Sequence, residues 1–364
     1  ASDGSGEPRQ LTRDGDIWRF APVWSPDGER LAYGDKKNRL RVVEVESGRT
    51  IDVDTATVGE DMEVYIWSPD GQHLVYQKTE DNGLERLWHW SVGGQARQLT
   101  FGLFDAYNPA FDPKGRYLYF LSNRDHNLQF SSYEFNYLYT NATRIYAATL
   151  AADGPALGRP KSDEIAAPGG AEKPEGNSKK DEKPAATRFD VEGFDGRVVA
   201  LPGVPAGNYA GLGANARGVL FVAGGGNGGG AELRFFDLGE EKVSTILRSV
   251  GGYVLAAGGE KLLFRAGPDK LGIAEVKPDQ DASKTLDLSK LTLRIDPATE
   301  WAQLLRDGWR IWRDWFYDPG LHGNDWEAVY AKYAALLPHV NHRNDLDYLF
   351  SEMAGELNAG HIYV

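Results

Sequence analysis

The chain has 364 residues, 41% of them hydrophobic, enough apolar material for one large core or two ordinary ones. Forty basic residues stand against 53 acidic ones, a formal charge of −13, and no lysine or arginine stripe interrupts the excess, which argues against a nucleic-acid partner. The absence of cysteine excludes disulfides, thiolate catalysis and cysteine zinc sites together, and no run approaches the roughly 18 apolar residues of a membrane-spanning helix.

The opening ASDGSGEPRQ lacks the apolar core of a signal peptide or anchor. The first residues already read as the tail of one repeat and the entry to the next, so the expectation is a chain that begins inside a larger protein. Three repeats then follow: PVWSPDGERLAYG from Pro22, YIWSPDGQHLVYQ from Tyr65 and PAFDPKGRYLYFL from Pro109. Their turn glycines, Gly28, Gly71 and Gly115, are 43 and 44 residues apart, close to the roughly 40–45 residue period of four-stranded propeller blades. Proline presets the second position of a type I turn and glycine takes the fourth, so the Ser and Asp of SPDG belong to turn geometry. An aromatic precedes each turn (Trp24, Trp67, Phe111) and an alternating strand follows it (Leu31 and Tyr33, Leu74 and Tyr76, Leu118 and Phe120). One such hairpin leaves its apolar faces bare; stacked against its neighbours it covers them.

The stretch from Phe130 to Tyr146 is unusually aromatic, which suits either strand packing or the lining of a peptide channel. Ala151 to Ala186 is charged, proline-bearing and without aromatics, and reads as an exposed, mobile insertion between blades. Two degenerate repeats follow, Ala214–Val222 and Ala257–Arg265, with turn glycines assigned to Gly218 and Gly259, 41 residues apart. About five blades result, which fits a seven-bladed ring that is only partly present, with a five-bladed ring as the alternative. The run GGGNGGG, Gly224 to Gly230, is flanked by strands and followed by no Lys-Ser or Lys-Thr, so it reads as a hairpin loop and not a phosphate loop.

At Asp296-Pro297 the apolar period changes from two to 3.6. Trp301, Leu304, Leu305, Trp309, Trp312 and Phe316 share one face; DPG at 318–320 stops this helix. A second helix starts near Asn324 and ends at Pro338, and a third starts near Asn344 and carries Leu346, Leu349, Phe350, Met353 and Leu357. Their bulky faces predict a core that continues beyond Val364. The third helix ends in GELNAGHIYV, which places His361 at a helix-to-strand junction, fixed in position by its flanking elements yet reachable.

Nucleophilic catalysis needs a nucleophile, a base, a group that orients the base and oxyanion donors, and only a base is visible. There is no G-x-S-x-G elbow, and Ser351 lies on the third helix away from its apolar stripe. His339 and His342 have a spacing a metal could use, but no further ligands complete a site. His73, His89, His126 and His322 are isolated in the sequence and carry no assigned chemistry. The sequence implies no metal and no cofactor.

The WSPDG units resemble the TolB/WD40-like blades of TolB-type binding proteins, of prolyl-oligopeptidase-like enzymes and of tricorn. GELNAGHIYV and the helices before it resemble the start of the protease core of tricorn-type serine peptidases, relatives of the tail-specific proteases, in which a GEL-x-x-x-H run carries the catalytic histidine. The fold class so implied is mainly β: a partial β-propeller over residues 1–293, then a small all-α segment, 294–364, that opens a protease core domain. The resemblance makes His361 the general base of a serine peptidase acting through an acyl-enzyme, with the propeller guiding peptide substrates. It also implies a homo-oligomer, hexameric in relatives, cytoplasmic like the archetype or periplasmic like exported relatives; the charge and the lack of an apolar run predict partners other than nucleic acid or membrane. The archetype has a serine where this chain has Gly360, and its nucleophile and PDZ-like module lie downstream, so the chain alone is expected to be inactive. The alternative is a non-catalytic propeller module that binds partners.

Overall fold

The computed structural model describes residues 6–15, 17–59, 62–125, 128–132, 135–139, 141–157, 186–224 and 230–362. They form two compact units, residues 1–286 and 287–364.

The first unit is built from antiparallel sheets that follow one another along the chain. Sheet one runs β1 (Arg19–Trp24), β2 (Arg30–Asp35), β3 (Arg39–Glu44), β4 (Thr50–Thr55); sheet two β5 (Tyr65–Trp67), β6 (His73–Thr79), β7 (Glu85–Ser91), β8 (Arg97–Gln98). Sheet three is β9 (Ala106–Phe111), β10 (Tyr117–Ser122), β13 (Arg144–Thr149) and β14 (Val198–Ala200), with the hairpin β11 (Leu128–Ser131) and β12 (Asn136–Tyr139) inserted after β10. Sheet four is β15 (Tyr209–Asn215), β16 (Gly218–Ala223), β17 (Glu232–Asp237) and β18 (Lys242–Leu247); β19 (Gly252–Leu255), β20 (Lys261–Gly267) and β21 (Lys270–Glu275) make a three-stranded fifth. These are propeller blades.

Strand periodicity explains the core. Alternate residues of each second strand face opposite neighbours. Leu74 and Tyr76 join the cluster shared with sheet one, whereas Val75 between them joins the cluster shared with sheet three. Leu118 and Phe120 look back to sheet two, while Tyr117, Tyr119 and Leu121 look forward to sheet four. Val219 and Phe221 repeat the pattern against sheet three, and Leu220 faces sheet five. The core is thus a row of layers between blades, which is why a single repeat is not stable by itself.

The SPDG turns close as their chemistry dictates. Ser25 Oγ bonds the Asp27 carboxylate at 2.5 Å, the Arg30 amide donates back to Ser25 Oγ at 3.0 Å, and Gly28 takes a left-handed φ of 74°. In the third repeat Asp112 replaces the serine and its carboxylate pairs with Arg116 at 2.6 Å. Beyond the turns, β1, β9 and β15 each carry an irregularity with a left-handed residue, Ala21, Asn108 and Gly211. The next blade seizes each one: the Tyr65 hydroxyl donates to the Ala21 carbonyl at 2.6 Å, the Leu212 amide to Asn108 Oδ1 at 3.0 Å, and the Tyr253 hydroxyl to the Gly211 carbonyl at 2.9 Å. Bulges in this position bind consecutive blades to one another.

Two sequence expectations need correction. The segment beginning at Ala151 does not lie between blades: β14 returns after it to pair with β13, Tyr146 opposite Ala200, so it is inserted within the third blade. Three residues of unpatterned sequence are too short to announce an outer strand. Residues 158–185 themselves, and 225–229 of the glycine run, lie outside the described residues. Gly218 is also not in the turn but opens β16: Asn215 Oδ1 closes the turn by accepting the Arg217 and Gly218 amides, and a Cβ on Gly218 would meet the Phe236 carbonyl at 1.9 Å.

The second unit contains α1 (Pro297–Trp315), α2 (Trp326–Ala334) and α3 (Arg343–Gly355) around one apolar cluster. Pro297 opens α1 at the position where a missing amide costs nothing. Asp325 caps α2 by accepting the Ala328 amide, and His342 caps α3 in a reciprocal box with Asp345. α1 and α2 are joined by a reciprocal pair: the Trp309 indole donates to the Trp326 carbonyl at 2.7 Å, and the Trp326 indole to the Trp309 carbonyl at 2.9 Å.

Candidate functional site

His361 follows α3 by six residues. The helix continues through Gly355, and the chain turns where Asn358 takes a left-handed φ of 47°. Leu357, fully buried, and Ile362, packed on its edge, anchor the arch to the helical cluster at both ends. Between them His361 is exposed, with a left-handed φ of 61° that is uncommon for a residue with a Cβ. The imidazole therefore sits on a short span whose ends are fixed. The strand expected after it, Tyr363 and Val364, lies outside the described residues.

Two elements distant in sequence hold the base of this arch. In the α1–α2 connection, the Asp318 carboxylate accepts the Gly320 amide at 3.0 Å and the His322 amide at 2.8 Å, and these bonds hold its pKa below the ordinary carboxylate value. From that connection His322 Nδ1 reaches the Leu357 carbonyl at 2.7 Å. A carbonyl only accepts, so Nδ1 carries the proton, and Nε2 meets the Tyr317 hydroxyl. Asn324 Nδ2 donates to the Leu321 carbonyl at 2.8 Å and to the Glu356 carbonyl at 2.9 Å. From α2, Lys332 at 2.5 Å and the Tyr333 hydroxyl at 2.9 Å bond the Glu356 carboxylate and lower its pKa, Lys332 foremost.

The other candidates are not drawn to His361 by any described bond. Ser351 Oγ donates to the Asp347 carbonyl four residues back on α3. His342 Nδ1 accepts the Asn344 amide as a cap, His339 ends a 3-10 turn, and among the described residues no group of three His, Cys, Asp or Glu side chains could hold a metal. His126 lies outside the described residues. Of the aromatic stretch, Tyr146 is buried and stacks on Phe120 at 6.0 Å, whereas Phe130 and Phe135 are exposed.

His73 and His89, isolated in sequence, meet in the fold: His73 Nδ1 lies 3.0 Å from His89 Nε2, and His73 Nε2 bonds the Thr187 carbonyl at 3.1 Å. Burial above all, then the neighbouring His73 and Arg97, pushes the His89 pKa down to about 3. Phe189 packs on His89 with ring centres 4.3 Å apart. The pair and Phe189 pin the chain that returns toward β14. Their adjacency on β6 and β7 becomes readable once the hairpin register sets Val75 opposite His89.

A bladed β-propeller followed by a three-helix unit defines the class. Residues 2–276 match the tricorn protease second beta propeller domain and residues 297–355 the tricorn protease C1 domain. The chain belongs to the tricorn protease family. Tricorn protease homolog 1 of Streptomyces coelicolor is 29% identical over 93% of this chain and 33% of its own length. The tricorn protease of Thermoplasma volcanium is 24% identical over 99% of this chain and 35% of its own. The chain thus spans about a third of the length of these relatives. The crystal structure of the tricorn protease superposes with a TM-score of 0.75 at 18% identity, covering 95% of this chain and 33% of that one, which establishes the fold. No described helix is long and apolar enough to cross a membrane.

Proposed function

We propose that this sequence belongs to a serine-type peptidase in which His361 is the general base. Residues 1–293 are then part of a propeller ring that guides peptides, and residues 294–364 open the protease core. The observation that carries the reading is the arch: an exposed imidazole on a strained backbone position, held between the buried Leu357 and the partly buried Ile362, in a chain whose relatives are named proteases. In the reaction, His361 takes the proton of a serine supplied outside this sequence as its oxygen bonds the peptide carbonyl carbon, and returns it to the leaving amine; water then cleaves the acyl-enzyme by the same route. The 364-residue chain is inactive alone, and the whole protein acts as a homo-oligomer in the cytoplasm without a cofactor.

The test is to extend the polypeptide past Val364 along its reading frame and assay fluorogenic peptides with and without His361→Ala. A loss of about 10³-fold or more in kcat supports the base role. Unchanged activity removes His361 from the mechanism. Gly360, at the position where the archetype has a serine, favours a second reading: a propeller module that binds partners without catalysis, for which the extended protein would show no peptidase activity while folding normally.

A further inference from the structure

We infer that His322 and Asn324 are positioning residues for His361: they fix the end of α3, and through it the direction in which the imidazole is presented. The inference rests on the general-base reading of His361 for its catalytic half and on hydrogen bonding alone for its structural half.

The last carbonyls of a helix have no partner within it and need one from elsewhere. Here the two that lead into the arch, those of Glu356 and Leu357, are taken by Asn324 Nδ2 at 2.9 Å and His322 Nδ1 at 2.7 Å. Both donors come from one connection, and that connection is itself rigidly built. Leu321 and His322 are left-handed at φ 51° and 54°, Leu321 is buried, the Asp318 carboxylate ties down two amides, and Asn324 also grips the Leu321 carbonyl. The side chain of Glu356 is held independently by Lys332 and Tyr333. Residues 356 and 357 are therefore clamped on backbone and side chain from two directions, and three residues separate Leu357 from His361. The backbone of a residue on so short a span takes its position from the clamp, and the imidazole is carried with it. A displacement of about 1 Å at a catalytic group can cost ~10²-fold in rate, so the clamp is where precision would be set.

The donors can be tested without catalysis. In the 364-residue chain, His322→Ala and Asn324→Ala are expected to speed amide exchange over residues 356–362 by ~10-fold or more while α1 and the propeller strands keep their protection. His322→Asn, which places an amide donor where Nδ1 stood and suits a left-handed φ, should recover most of that protection. In the protein extended past Val364, the two alanine variants should lower kcat ~10–100-fold with KM little changed, and His322→Asn should rescue kcat. Unchanged exchange at 356–362 in both alanine variants would overturn the clamp, whatever His361 does. Faster exchange with unaltered kcat, where His361→Ala abolishes activity, would overturn the positioning role. If His361→Ala is itself silent, the general-base reading has failed, and the exchange result still decides the clamp.

Discussion

Gly308 sits in the middle of α1, where helix propensity alone recommends alanine by about 1 kcal/mol. The fold recommends the opposite. A Cβ at 308 would lie 2.3 Å from one carbon of the Phe350 ring and 3.1 Å from two others, where ordinary contacts begin near 3.5 Å. Phe350 is 4% exposed and packed edge-on to Trp312 with ring centres 6.1 Å apart, so its ring has to retreat by about 1 Å into occupied space. Overpacking of that kind costs about 1–3 kcal/mol, and a clash this close lies at the upper end. Set against the propensity gain, Gly308→Ala should destabilise the helical unit by about 2 kcal/mol. Gly355→Ala is the control: it is helical, and nothing lies within 4 Å of its Cβ, so alanine should stabilise by about 0.5–1 kcal/mol. With two compact units in one chain, a global melt does not isolate the effect; exchange of α1 and α3 amides does. Gly308→Ala should raise it roughly 30-fold, and Gly355→Ala should slow it. Equal or slower exchange in Gly308→Ala would refute the close packing of α1 against α3.

Gly360→Ser should fold normally, because no atom lies within 4 Å of a Cβ there and its φ is not left-handed; a loss of more than about 1 kcal/mol in denaturant unfolding would contradict the arch geometry. Acid should loosen the second and third blades. His89 is neutral in the fold with its pKa depressed to about 3, so its contribution is complete above the unfolded value of about 6.5 and is lost as pH falls from there toward 3, approaching ~4 kcal/mol; melting from pH 7 to 4 should show it, and His89→Phe should flatten the profile. Tyr65→Phe deletes the donor to the Phe20 and Ala21 carbonyls and the acceptor of the Gly34 amide, and should cost about 1–3 kcal/mol, read as faster exchange in β1 and β2.

The blades were legible because a type I turn needs proline and glycine at fixed offsets and a buried strand needs period two; both are local requirements that the two SPDG repeats and the DPKG repeat satisfy. The helices were legible for the same reason, down to Pro297 at the first turn of α1. The largest failures are non-local. β14 belongs to the third blade through pairing with a strand about 50 residues earlier, and the clamp on α3 joins His322 to Leu357 across 35 residues. Nor does the sequence predict that Asn358, not Gly355, supplies the left-handed residue that turns the chain after α3, because asparagine tolerates that region and a buried Leu357 fixes where the turn falls. Of the candidate site, the histidine was readable and its support was not.

The arch makes one demand that separates it from an ordinary surface loop. At an exposed position with ordinary φ, glycine is less stable than alanine by about 0.5–1 kcal/mol, because the unfolded glycine chain has more freedom to lose. His361 is at φ 61°, where a Cβ costs roughly 1–2 kcal/mol and glycine costs nothing. His361→Ala and His361→Gly remove the same imidazole and whatever contacts it makes, so those contacts cancel in the comparison and only the backbone term is left. That term has the opposite sign here: the glycine variant should be the more stable by about 0.5–1 kcal/mol, seen as slower amide exchange over 356–362. A glycine variant less stable than the alanine one would mean that His361 is not left-handed in solution and that the imidazole is not presented as described. The expected sign would mean that the chain carries a histidine at a backbone position where glycine is better, a cost that packing of Leu357 and Ile362 can sustain and that a required imidazole explains.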